Sequence, residues 1–108
     1  MCMFGAIPHI ADAYINRNVA TLRVMDKAAG KTRTLETAVG VPARVEKLSI
    51  MVRACKQSDP FDPENFYAFV EITKSDNTKI YGNWMNRNNP GENPLQNADY
   101  DVWLVECK

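Results

Sequence analysis

Along much of this chain every second residue is apolar, and these runs are separated by short polar segments rich in Gly, Pro, Asn and Asp. That is the pattern of half-buried strands joined by turns. In the first run, residues 19–26, Ala20, Leu22 and Val24 alternate with Thr21 and Arg23. Residues 27–31 contain Gly30, suited to a positive φ, and β-branched residues resume over 32–39, so the two runs predict a hairpin. Gly40-Val41-Pro42 breaks the pattern. Residues 43–55 then predict the longest strand, with Leu48, Ile50, Val52 and Ala54 on one face and Ser49 and Arg53 on the other.

Segment 56–65 contains Pro60 and Pro63, each of which removes a backbone donor and pushes its predecessor out of helical geometry, so it predicts a loop. Residues 66–74 are apolar on both faces, Phe66, Ala68, Val70 and Ile72 against Tyr67 and Phe69, which predicts burial between layers. A polar tip at 75–78 leads into a returning strand at 79–85. Residues 86–97, rich in Asn, Pro and Gly, have no sustained period and predict a long irregular loop, a class often functional. The last run, 100–107, places Tyr100, Val102 and Leu104 opposite Trp103, Val105 and Cys107. About six short strands and no helical period predict an all-β fold, a single antiparallel β-sandwich or partly closed barrel.

At 108 residues the chain has the size of one domain. Thirteen Lys and Arg balance thirteen Asp and Glu, so no overall field recruits nucleic acid or an anionic membrane. No run approaches the roughly 18 apolar residues of a membrane span. Residues 1–13 are apolar and end Ala11-Asp12-Ala13, a small-x-small pattern that reads as the remnant of a secretion signal, with an ordinary N-terminal extension packed on the fold as the alternative; the first reading leaves 14–108 as one β domain in the periplasm or outside the cell. Removal of that segment takes Cys2 and leaves Cys55 and Cys107, which pair in an oxidising compartment. Strict alternation sets Cys55 on the face opposite Leu48 and Val52, so a bulge or two-sided burial is needed to turn it. A redox-active pair is disfavoured by the absence of Cys-x-x-Cys spacing.

His9, the sole histidine, falls in the same segment, so the remaining domain has no Ser-His-Asp or Cys-His pair and no imidazole metal ligand. Asp99 and Asp101 share a strand face and offer the one pair suited to acid–base chemistry. The carboxylates of the proline loop, Asp59, Asp62 and Glu64, lack calcium-loop spacing. No cofactor or metal is expected. Around the Asn-rich loop, Tyr81, Trp84, Tyr100 and Trp103 with Arg87, Asn88 and Asn89 have the composition of a site that stacks on a flat ligand and hydrogen-bonds its edges, although large aromatics also build cores.

From Ala20 onward the sequence resembles a bacterial family of unknown function, number 2155, of alphaproteobacterial envelope proteins. The resemblance lies in Ala20-Thr21-Leu22-Arg23, Asp26-Lys27 with Gly30, Val52-Arg53-Ala54-Cys55, Trp84-Met85 with Pro90, and Tyr100-Asp101-Val102-Trp103 ending at Cys107-Lys108. It implies an exported β-rich domain with a disulfide and implies no activity. The chain departs from the family pattern at Asn83, Asn86 and Asn97-Ala98, where a glycine, an aromatic and His-Pro are usual. The reading that results is a non-catalytic envelope domain that binds a protein partner or a cell-wall component. The alternatives are a small carboxylate-dependent hydrolase using Asp99 or Asp101 and a thiol–disulfide protein.

Overall fold

Where apolar residues alternate, the backbone is extended, and the described residues form eight strands: β1 (Ile15–Asn16), β2 (Val19–Asp26), β3 (Lys31–Ala38), β4 (Ala43–Val45), β5 (Leu48–Gln57), β6 (Phe66–Lys74), β7 (Lys79–Asn86) and β8 (Tyr100–Cys107). The computed structural model describes residues 14–108. Cys2, His9 and the expected signal remnant at 1–13 lie outside the described residues. No described helix is long and apolar enough to cross a membrane.

The strands form two antiparallel sheets. The larger has the order β1-β5-β6-β7, with β4 also paired to β5, and the smaller has the order β3-β2-β8. They pack face to face as an open sandwich around Ala20, Leu22, Val24, Leu48, Ile50, Val52, Ala68, Val70, Ile72, Val102 and Leu104, all buried. The six expected strands are present, and β1 is a short addition. The expected strand over 43–55 is divided. Glu46 takes a left-handed φ of 55°, and with Lys47 it turns the chain so that Val45 pairs back on Leu48.

Each bridging cysteine enters the core through a β-bulge. On β5, Val52 pairs with Val70 but Ala54 pairs with Phe69, so Arg53 is an extra residue. Ala54 therefore leaves the face of Val52 that alternation assigned to it, and Cys55, beside the buried Ala68, turns inward. On β8, Leu104 pairs with Leu22 but Glu106 pairs with Thr21, and the extra Val105 moves Cys107 off the face of Trp103 onto the buried Ala20. The Cys55–Cys107 disulfide joins the two sheets across this space, with Cα atoms 5.6 Å apart and a sequence separation of 52.

The expected burial of β6 between layers is corrected on one side. Phe66, Ala68, Val70 and Ile72 meet the core, whereas Tyr67 and Phe69 point away from it and are only half-buried, packed against Tyr14 and Trp84.

Replacing both cysteines by alanine is expected to lower the unfolding free energy by about 4 kcal/mol, the loop-closure value for a cross-link of this span. The shift of the urea midpoint at constant slope measures it. Deleting Arg53 removes the bulge and turns Cys55 outward. Protein purified without reductant should then release two additional thiols on denaturation, and an intact bridge in the deletion variant would show that the bulge does not aim the cysteine.

Candidate functional site

Strand β7 divides its aromatics between the two faces of the larger sheet. A register shift at its start sets Tyr81 opposite Ile72 and Met85 opposite Ala68, both facing the core, so Trp84 points outward opposite Phe69. The Trp84 and Phe69 rings meet edge to face at 5.6 Å, and the Lys56 ammonium lies 5.9 Å from the centre of the indole. At the β1 side, Tyr14 meets Tyr67 edge to face at 5.4 Å. Tyr14, Lys56, Tyr67 and Trp84 together line a shallow, mainly apolar depression of about 260 Å³. Trp84 keeps 39% of its surface exposed and Tyr14 keeps 37%.

Beyond the aromatics, on the same face, the Glu71 carboxylate accepts hydrogen bonds from Arg53 at 2.7 Å and Lys79 at 3.1 Å. Those bonds hold the Glu71 carboxyl below the usual carboxylate range. Gly82 lies under this contact. A Cβ there would meet Lys79 Cε at 2.8 Å, so the missing side chain lets the lysine reach across. Arg53 and Lys79 thus share one carboxylate, while Lys56 has no salt-bridge partner among the described residues.

The residues expected to form one site are placed apart. Tyr81 is buried, its hydroxyl donates to the Asn93 carbonyl, and burial raises its pKa. Trp103 points outward from the smaller sheet, beside a depression of about 400 Å³ lined by Pro90, Pro94 and Asp101. Tyr100 is half-buried at one end of the sandwich, in a polar cavity of about 370 Å³ that includes Asp26, Glu46 and Asp99. Asp99 and Asp101 therefore open onto different cavities. No group of three or more His, Cys, Asp or Glu among the described residues is arranged to hold a metal ion.

The polar groups of the Asn-rich loop are mostly engaged within the protein. Buried Asn65 donates from Nδ2 to Asn86 Oδ1 at 2.7 Å, and its Oδ1 accepts from the Asn88 N–H at 3.0 Å. Its own N–H donates to Ser58 Oγ, which in turn donates to the Pro63 carbonyl. Asn88 Nδ2 donates to the Glu64 carbonyl at 2.8 Å. The Arg87 guanidinium lies 4.9 Å over the Phe66 ring and donates to the Glu64 carboxylate. Asn89 contributes a backbone N–H to the Asn86 carbonyl. These bonds fasten the proline loop to the start of the Asn-rich loop and leave Trp84 as the expected aromatic most open to solvent.

Sequence reasoning did not assign Tyr14, Lys56, Tyr67 or Phe69 to a site. The available signal was the double apolar face of residues 66–74, whose outward half lacks a covering sheet.

A family model described as an uncharacterised protein conserved in bacteria, of the domain-of-unknown-function type and numbered 2155, matches residues 20–107. No curated protein and no solved structure matches.

Asn65→Ala strips several hydrogen bonds from a buried position and is expected to cost about 1–3 kcal/mol of stability. Asn89→Ala, at an exposed position, should stay within about 0.5 kcal/mol of the parent in the same urea titration.

Proposed function

Since the chain belongs to this bacterial family of unknown function, we propose that it is an exported, non-catalytic envelope domain that binds a protein partner or a cell-wall component. Its binding surface is the outward face of the larger sheet, centred on Trp84. The observation behind this reading is the aromatic depression formed by Tyr14, Tyr67, Trp84 and Lys56, which no described element covers. Partly exposed aromatics are typical of recognition surfaces.

Export is supported by the disulfide, a bond that persists in oxidising compartments. Its structural role is supported by burial: Cys55 and Cys107 are 2% and 3% exposed, which denies an attacking thiolate access. The separation of Asp99 from Asp101 weighs against a paired-carboxylate hydrolase.

Affinity capture of the tagged protein from bacterial envelope extracts tests the reading. A companion, protein or glycan, is expected on the parent and is expected to be lost from Trp84→Ala. Trp84 points outward, so this variant should keep the parent's melting temperature to within a few degrees. A companion retained by Trp84→Ala, or a Cys55–Cys107 pair found reduced in intact cells by alkylation, would count against it.

A further inference from the structure

The most exposed large apolar side chain in the described residues is Phe61, at 98%, on the tip of the proline loop between β5 and β6. A phenyl ring left wholly in water forgoes its burial energy unless something else covers it. The loop that presents it is held in shape. The Phe61 N–H donates to Asp59 Oδ1 at 2.8 Å, the Asp62 N–H donates to the Asp59 carbonyl, and the base is fastened by Ser58 and Asn65. The backbone that carries the ring is therefore preorganised, and docking the knob costs little backbone entropy.

The charge around the knob is negative. Asp59 and Asp62 flank the ring, and neither forms a salt bridge among the described residues. Around the aromatic depression the charge is positive. Lys56 lines it and has no salt-bridge partner among the described residues, and farther along the same face Arg53 and Lys79 share the single carboxylate of Glu71. An apolar ring flanked by carboxylates and an aromatic hollow lined by a lysine are complementary in chemistry and in charge.

The two features also stand at the same end of the larger sheet. Phe61 follows Lys56 by five residues and precedes Tyr67 by six. A knob and a hollow so close together suit an isologous two-fold contact, in which each copy places its knob in the hollow of the other.

We propose that the protein recognised by the outward face of the larger sheet is a second copy of this chain, and that two copies exchange Phe61 into each other's Tyr14–Lys56–Tyr67–Trp84 depression. This proposal rests on the reading of that face as the binding surface. The acidic fringe of each Phe61 loop pairs with Lys56 of the other copy, so the contact weakens as salt is added.

Sedimentation velocity over a concentration series, on the full chain with its Cys2 thiol alkylated, tests it. The parent is expected to pass from monomer to dimer. Phe61→Asp and Lys56→Glu should each raise the dimer dissociation constant by about tenfold or more. An equimolar mixture of Phe61→Asp and Trp84→Ala keeps one intact knob and one intact hollow, so it should form more dimer than either variant alone. Phe61 is fully exposed, and an unchanged melting temperature for Phe61→Asp separates loss of contact from loss of fold.

A parent that stays monomeric throughout, a Phe61→Asp variant that dimerises like the parent, or growth beyond the dimer overturns the two-fold exchange. A monomeric parent whose envelope companion still depends on Trp84 would leave the binding face standing and remove only the second copy as its partner. Loss of both results removes both.

Discussion

The contact between the two sheets is what the rest of this protein depends on. A sandwich of this size has one core, and its two halves are joined along their length by apolar side chains and at one place by a covalent bond. The bond enters that core because each sheet gains one residue at the right place, Arg53 in β5 and Val105 in β8. Without those insertions alternation would point the sulfurs to the outer surfaces, where no second sheet waits for them. The same insertion turns Lys56 to the outward face, where Arg53 already stands by alternation, so the device that closes the core also helps to build the surface above it.

Much of the fold was legible because period two is a strong signal and because Pro, Gly and Asn mark where it stops. β2, β6 and β8 follow from alternation alone, and the need to reorient Cys55 was visible as a conflict between alternation and pairing. The hairpin at Glu46 was not legible. Its turn residue is an ordinary glutamate held at a positive φ by the pairing of Val45 with Leu48, and no local preference announces it. Cys107 shows the same difficulty, since a bulge is a relation between two strands and one strand's pattern does not record it.

The site was legible only in part. Trp84 was identified, but grouping it with Tyr81, Tyr100 and Trp103 relied on nearness in sequence, and a strand divides near neighbours between opposite faces. Net charge misled in a similar way. The chain sums to zero, yet Arg44, Arg53, Lys56 and Lys79 outnumber Glu71 at the outward strand positions of the larger sheet, whereas on the outer face of the smaller one Lys108 is bonded to Glu36 and Arg23 stands with Asp101 and Glu106. A balance taken along the chain averages over a separation that exists only across the sandwich.

The asparagine bonds between the two long loops bear on how variation in this family is read. Polar residues fixed in a loop are ordinarily taken as marks of binding or catalysis, because loops elsewhere drift. Here Ser58, Asn65, Asn86 and Asn88 satisfy one another and nearby carbonyls. Substitution at these positions would be resisted as it is in a core. Invariance there across homologues would record the architecture of two loops, as invariance of apolar residues records a core.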